Sequence, residues 1–176
     1  MNFKNITLRA YFLGLLILTV SACHSLKPVS SGSSRSSSKT TKSGSTSVSQ
    51  LRQDITKYAL RQKGAKYKYG AKGPKRFDCS GFTTYVYTAN NLELPNGSYN
   101  QARVGKKVPL SKAKPGDLIF FGKRGKVNHV ALVIRNSSAG VEVVHSTSGS
   151  GVIQENISKS AYWKPQILYA RNVIGR

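Results

Sequence analysis

The sequence predicts an α+β domain in which N-terminal helices pack on a mostly antiparallel sheet. Two observations support this fold class. Helical spacing of apolar residues dominates between residues 48 and 92, and short β-like runs dominate from residue 118 onward. A chain that places its helices first and its strands later usually packs the helices on an antiparallel sheet. We therefore expect one folded domain over residues 48–176.

The first predicted helix begins near Ser47 and ends at about Gly64. Ser47 and Gln50 have the spacing of a capping box. Four apolar residues then follow at i, i+4, i+7 and i+8, namely Leu51, Ile55, Tyr58 and Ala59. This spacing places them on one helix face, which we expect to lie in the core.

A second helix is predicted within residues 77–92, after a loop rich in Gly, Lys and Tyr. Asp78 is a suitable N-cap, because its carboxylate can accept a backbone hydrogen bond from the first turn. The apolar face comprises Cys79, Phe82, Val86 and Ala89. Cys79 thus stands at the start of the predicted helix.

Five short runs downstream of the helices predict β-strands. They are rich in β-branched and aromatic residues and occupy residues 118–121, 129–135, 141–147, 152–156 and 167–173. Turn residues at 114–117 and 136–140 separate some of them. The run of strands supplies the sheet of the predicted fold.

Residues 1–22 are typical of a secretory signal peptide. Lys4 and Arg9 precede an apolar run at residues 10–20, which is shorter than the roughly 20 residues needed to span a bilayer. Residues 20–23, VSAC, resemble the lipobox of bacterial lipoproteins, which implies that Cys23 is lipidated and becomes the mature N-terminus. An ordinary signal peptide with an incidental Cys23 is the alternative. His24, where Asp would retain a lipoprotein in the inner membrane, favours the outer membrane.

Residues 23–47 are predicted to form a disordered tether behind the lipidated cysteine. The segment 24–50 contains 12 Ser among 27 residues and almost no residues to bury.

The whole chain carries a net charge of +22, from 28 Lys and Arg against 6 Asp and Glu. This charge suits a nucleic acid, a membrane surface or an anionic cell wall. Export, and the spread of the basic residues along the chain, argue against nucleic acid.

Cys79 is left as a free thiol if Cys23 is lipidated, because a thioether sulfur cannot form a disulfide. Three interpretations are open: a buried structural cysteine, a metal ligand and a nucleophile. A nucleophile needs a nearby base and a means of stabilising the thiolate. The positive end of a helix dipole favours the thiolate, so we expect the helix start to lower the pKa of Cys79.

His129 and His145 are the two histidines outside the tether. A hairpin about residues 136–140 brings them to one face if the two residue numbers of each cross-strand pair add up to an even value, such as 274 or 276. Two unrelated histidines are the alternative. Cys79, His129 and His145 could also bind a catalytic zinc ion. The compact ligand pairs of zinc sites are absent, however, and Glu142 is the carboxylate nearest to either histidine along the chain.

Four segments together resemble the NlpC family of cell-wall cysteine peptidases, a papain-like group. They occur in the family order and are FDCSGF (77–82), PGDLIFF (115–121), NHVA (128–131) and VHS (144–146). The resemblance covers about residues 52–173. It implies a papain-like domain in which Cys79 is the nucleophile, His129 the base and His145 the polar group that orients His129. We expect Asp117 to be a turn residue.

The resemblance also implies roles for residues around the nucleophile. Tyr67 matches a tyrosine whose hydroxyl lies at the active site, although Tyr69 stands where the family usually has tryptophan. Asp78 and Ser80 match positions that contact substrate in some members. A helix cap and a small residue in a tight helix start are their alternative roles.

The activity implied by the resemblance is hydrolysis of an amide in peptidoglycan stem peptides. The family cuts the D-glutamyl to diamino-acid bond or the D-Ala crosslink. Because no binding domain precedes the catalytic one, we expect crosslink cleavage. We further expect a monomer that needs no cofactor or metal and is anchored in the outer membrane, facing the periplasm. A catalytically silent wall-binding module is the alternative, against which the intact set of Cys79, His129 and His145 argues.

Overall fold

The computed structural model describes residues 42–175 of the chain. Its α-helices are α1 (Lys42–Leu60), α2 (Cys79–Thr88) and α3 (Ser98–Gln101), and two short 3-10 helices span Leu110–Lys112 and Lys164–Gln166. Its strands are β1 (Lys66–Tyr67), β2 (Arg76–Phe77), β3 (Lys106–Val108), β4 (Leu118–Lys123), β5 (Lys126–Ser137), β6 (Gly140–Thr147), β7 (Gly151–Asn156) and β8 (Ile167–Asn172). The predicted α+β class is confirmed. The predicted signal peptide, Cys23, His24 and the tether up to residue 41 lie outside the described residues.

The main sheet has six strands in the order β3-β8-β4-β5-β6-β7, and all neighbours are antiparallel. A separate parallel pair joins β1 to β2. All five strands predicted from the sequence are present. Strands β1, β2 and β3 were not predicted, because two or three residues are too few to show the alternation of a strand.

The two faces of the sheet contribute to two apolar clusters. On one face, α1 and α2 bury Ile55, Ala59, Phe82 and Val86 against Leu118, Phe120, Val130 and Leu132. The alternate residues of the same strands lie on the other face, where Ile119, Phe121, Ala131 and Val133 pack with Trp163. Residues that alternate along a strand point to opposite faces, so β4 and β5 are covered on both sides.

Helix α1 differs from the prediction at both ends. It begins at Lys42, so Ser47 lies inside it and residues 42–47 are helical rather than part of a tether. Once the buried positions hold the helix, each added residue contributes a hydrogen bond without a new nucleation cost. The helix ends at Leu60, and a turn then leads to Gly64, whose φ of +87° suits glycine.

Helix α2 is shorter than the segment 77–92 in which a helix was predicted. It ends at Thr88, and Ala89 is exposed rather than part of the apolar face. Phe82 and Val86 are fully buried, as predicted. The apolar spacing therefore identified the core-facing side of the helix but not its last turn.

Asp117 closes the turn before β4 and connects the sheet to α1. Its backbone N–H donates to the Lys114 carbonyl, as expected for a turn residue. Its buried carboxylate forms a 2.8 Å ion pair with Arg52 and accepts the Lys114 N–H. Asp117 is thus a structural residue.

Of the helices within residues 42–175, none is long and apolar enough to cross a membrane.

Candidate active site

Cys79 is the first residue of α2, and Asp78 caps that helix. The Asp78 Oδ1 atom accepts hydrogen bonds from the Gly81 N–H at 2.6 Å and from the Ser80 hydroxyl at 3.0 Å. Its Oδ2 atom accepts the Gly70 N–H at 2.9 Å. The predicted N-cap is confirmed. Both carboxylate oxygens are engaged, so Asp78 joins the start of α2 to the loop that precedes it.

Gly81 allows this close approach of the loop. A Cβ atom at residue 81 would collide with the Ala71 carbonyl oxygen. That carbonyl also accepts the Asp78 N–H at 2.9 Å, so the loop lies directly against the helix start. A side chain at residue 81 would therefore displace the segment that positions Cys79.

His129 and His145 lie on one face of the sheet, in contact with each other. The His129 Nε2 atom is 3.0 Å from the His145 Nδ1 atom, and both side chains are buried. Strands β5 and β6 pair Leu132 with Val144 and Val133 with Val143, so the paired numbers sum to 276. The predicted even register is confirmed, and it places the histidines one diagonal step apart. Beyond Val133 a bulge changes the sum to 277.

Trp163 covers the face of the His129 ring. The two rings are stacked, with centroids 4.5 Å apart and an interplanar angle of 21°. Phe121 pairs with His129 across β4 and β5, and its ring contacts the same imidazole, with ring centroids 5.6 Å apart. These aromatic contacts hold the His129 ring and exclude water from it.

Glu155 is the carboxylate that contacts the histidine pair. Its Oε1 atom is 2.7 Å from the His145 Nε2 atom. Glu142, the nearest carboxylate along the sequence, instead pairs with Arg135 and accepts a hydrogen bond from Gln154. The register explains the difference, because β7 pairs Ile153 with His145 and thereby brings Glu155 to the same face one diagonal step away.

Cys79 lies between two cavities that share Tyr67 and Asn128. The first, of about 460 Å³, is also lined by His129, Glu155 and Trp163. The second, of about 360 Å³, is lined by Tyr67 and by three consecutive residues of the helix start, Asp78, Cys79 and Ser80. The structure therefore brings Tyr67, Asp78, Cys79, Ser80 and His129 to one pair of adjoining cavities, His145 is buried behind them, and the predicted lipidation site Cys23 lies outside the described residues.

A cysteine at a helix start that shares a cavity with a paired histidine matches the predicted arrangement. Residues 64–172 match the NlpC/P60 family. The chain belongs to this family. Its six-stranded antiparallel sheet and helices have the fold of NlpC/P60 domains.

Three comparisons illustrate the family membership. The chain is 38% identical over 115 residues to the gamma-DL-glutamyl hydrolase of Bacillus subtilis, across 62% of this chain and 27% of that protein. It is 36% identical over 115 residues to the murein DD-endopeptidase MepS/murein LD-carboxypeptidase of Escherichia coli K12, across 65% of this chain and 58% of that protein. It resembles the crystal structure of the NlpC/p60 domain of the peptidoglycan hydrolase SagA. The TM-score is 0.59 with 30% identity, across 69% of this chain and 97% of that chain.

Burial sets the protonation of this NlpC/P60 site. Burial first, and then the neighbouring charge of His145, lowers the pKa of His129 to about 3. Burial also lowers the pKa of His145, while the hydrogen bond and charge of Glu155 oppose that shift. Both imidazoles are therefore neutral at neutral pH.

The expected lowering of the Cys79 pKa was wrong. Burial, followed by the charge of Asp78, raises the pKa of the Cys79 thiol to about 11. Backbone hydrogen bonds from Val130, Ser80 and Cys79 favour the thiolate but do not outweigh burial. The loss of hydration around a charged sulfur is larger than the contribution of the helix start, so the resting residue is a neutral thiol.

Tyr67 keeps its proton beside this thiol. Burial raises the pKa of Tyr67, and Cys79 and Asp78 raise it further. Its hydroxyl is therefore available as a hydrogen-bond donor in the cavities next to Cys79. Within residues 42–175, no group of three or more His, Cys, Asp or Glu side chains could hold a metal ion.

Sequence reasoning missed Glu155, Trp163 and Asn128. For Glu155 the parity argument for the histidine hairpin could be extended to the next hairpin, about residues 148–150, but it needs the register of β6 and β7, which the structure supplies. The Trp163 side chain reaches His129 from the cap of a 3-10 helix, outside the regular strands, so no local pattern indicates its position. Asn128 precedes His129 and lines both cavities.

Proposed function

We propose that this chain is a peptidoglycan peptidase that hydrolyses an amide bond in stem peptides or their crosslinks. One observation carries the proposal: Cys79, at the start of α2, lines the same cavity as His129, and the Nε2 atom of His129 contacts His145. A nucleophile, a base and a group that orients the base form the usual set for covalent hydrolysis of an amide. The catalytic residues are then Cys79 and His129, with His145 as the orienting member.

In the first step the thiol proton passes from Cys79 to His129. The Nε2 atom of His129 faces His145, so Nδ1 is the nitrogen left to accept this proton. The sulfur attacks the amide carbonyl as the proton leaves, because neither group is charged in the resting site. The backbone N–H of Cys79 and the hydroxyl of Tyr67 donate hydrogen bonds to the oxyanion.

In the second step the amide C–N bond breaks. The imidazolium of His129 protonates the leaving amine, and the acyl group remains on Cys79 as a thioester. A water molecule, deprotonated by His129, then attacks the thioester. The C–S bond breaks, the carboxylic acid leaves, and His129 returns the proton to the sulfur of Cys79. His145 keeps the proton of neutral His129 on Nε2 throughout, as the third member of a triad does.

Three observations support peptidoglycan as the substrate. Two of the relatives above are named a murein endopeptidase and a peptidoglycan hydrolase. The two cavities on either side of Cys79 can accommodate segments on both sides of a scissile bond. The net charge of +22 attracts a polymer that carries carboxylates. The chain spans 27% and 58% of the two curated relatives, so the activity of the whole protein is part of this proposal.

The same proposal includes the location of the enzyme. Cys23, in its lipobox-like segment, would carry the lipid anchor, and the Ser-rich segment after it would let the domain reach the wall. His24 supports an outer-membrane position that faces the periplasm. We further propose that the enzyme acts as a monomer without a metal or other cofactor.

Digestion of purified peptidoglycan tests the activity. The full-length chain is compared with Cys79→Ala, and the products are separated and weighed by mass spectrometry. Loss of crosslinked dimers with the wild type alone is the expected result. If instead both proteins sediment with the wall and neither changes its fragments, the chain is a wall-binding module and the proposed activity is wrong.

A further inference from the structure

Glu155 ends a chain of contacts that leads from the sheet edge to His129, which shares a cavity with Cys79. Its carboxylate contacts His145 Nε2 at 2.7 Å, and His145 Nδ1 contacts His129 Nε2 at 3.0 Å. The Glu155 side chain is 27% exposed, whereas His145 is fully buried. His129 therefore has its Nε2 atom committed to His145, and His145 has its Nε2 atom committed to Glu155.

The direction of these hydrogen bonds depends on Glu155. An ionised carboxylate can only accept, so the proton of neutral His145 must lie on Nε2. Its Nδ1 atom then has a free lone pair and accepts the Nε2 proton of His129. As a result the Nδ1 atom of His129 is unprotonated, which is the form able to accept the thiol proton.

The opposite arrangement would disable the base. If His145 carried its proton on Nδ1, that proton would be donated to His129 Nε2. The proton of neutral His129 would then lie on Nδ1 and block transfer from Cys79. The contact between the two histidines permits either arrangement, because each ring nitrogen can donate or accept.

We propose that Glu155 is a positioning residue that selects the base-competent tautomer of His129 through His145. The proposal rests on the proposed function, in which His129 is the base for Cys79. In this role Glu155 acts through His145, although its side chain also lines the cavity on one side of Cys79. The negative charge of Glu155 also stabilises the transient imidazolium of His129, because His145 alone separates that cation from the carboxylate.

The first measurement is the protonation of the ring nitrogens in the full-length wild type at neutral pH, by ¹⁵N NMR of the histidines. We expect both His129 and His145 to carry the proton on Nε2. In Glu155→Gln, whose amide can donate as well as accept, we expect a second species with the proton of His129 on Nδ1. This readout requires no peptidase activity, so it tests the role of Glu155 even if the proposed substrate is wrong.

The second measurement is the rate of peptidoglycan cleavage. In a Ser-His-Asp triad, replacing the aspartate by its amide leaves the histidine in the wrong tautomer and lowers kcat by about 10⁴-fold. Gln can still accept from His145 part of the time, so we expect Glu155→Gln to lower kcat about tenfold with KM unchanged. Glu155→Asp should restore part of the loss. Glu142→Gln removes the same charge from the neighbouring strand β6 and should match the wild type.

Two results would overturn the assignment of Glu155. One is a wild type in which His129 carries its proton on Nδ1. The other is a folded Glu155→Gln variant with wild-type tautomers and wild-type kcat. A misfolded Glu155→Gln variant leaves the wild-type NMR measurement decisive.

Discussion

The imidazole of His129 is stacked on the indole of Trp163, with ring centroids 4.5 Å apart. This contact covers one face of the base with an apolar ring. Burial is the larger cause of the depressed pKa of His129, so the stacking links an aromatic residue to the protonation of the candidate base.

Replacing Trp163 by Leu should raise the pKa of His129. The smaller side chain admits water to the imidazole, and water stabilises its charged form. We expect the pKa to move from about 3 towards the ordinary value of about 6.5, as measured by NMR titration of the imidazole.

Tyr162→Leu is the matched control for Trp163→Leu. Tyr162 is 66% exposed and contacts Trp163 edge-on, with ring centroids 4.8 Å apart. Its loss should leave the pKa of His129 nearly unchanged. Equal shifts in both variants, or none in Trp163→Leu, would show that the stacking does not control the base.

The reactivity of Cys79 should rise steeply with pH. Its pKa of about 11 means that the thiolate fraction grows about tenfold per pH unit at neutral pH, without a plateau. The rate of alkylation by iodoacetamide, followed by mass spectrometry of the peptide that contains Cys79, should therefore increase continuously between about pH 6 and pH 9.

His129→Gln separates this neutral resting state from an ion pair of thiolate and imidazolium. A neutral pair predicts that the variant keeps the same steep dependence on pH. An ion pair predicts a plateau in the wild type at acidic pH that disappears in the variant, and observing that plateau would contradict the neutral resting site.

Asp117→Asn should destabilise the domain. The substitution removes the charge that pairs with Arg52 at 2.8 Å, where Asp117 is 2% and Arg52 13% exposed. Arg52 keeps its hydrogen bonds to the Pro115 carbonyl and to Asn172, but its charge remains without a counterion. We expect the free energy of unfolding to fall by about 3 kcal/mol, measured by urea denaturation.

Glu142→Gln serves as the control for Asp117→Asn, because it breaks an ion pair whose Arg135 partner is 64% exposed. Solvent screens that pair, so its loss should change stability much less. Similar losses in the two variants would mean that the Arg52 contact is no more stabilising than a surface ion pair.

Much of the fold could be predicted because its signals are local. The spacing of Ile55 and Ala59 identified the buried face of α1, and the cap at Asp78 identified the start of α2. The catalytic interpretation of His129 and His145 required an even register between β5 and β6, and the structure has it. These features depend on neighbouring residues or on a single hairpin.

Other features of the site could not be predicted from local patterns. Glu155 meets His145 through the pairing of β6 with β7, and Trp163 reaches His129 from a separate 3-10 helix. The raised pKa of Cys79 reflects how deeply the thiol is buried, which the helix start alone does not indicate.

By itself the sequence determined the order of helices and strands and the placement of Cys79 at a helix start, and it required an even register if the two histidines act together. Those properties arise from backbone hydrogen bonding and from the side-chain periods of helices and strands, which act over a few residues. Only the tertiary structure decided which carboxylate meets His145, which aromatic ring covers His129 and which protonation states the site adopts. Desolvation and contact between distant segments set these properties, and both require the assembled core.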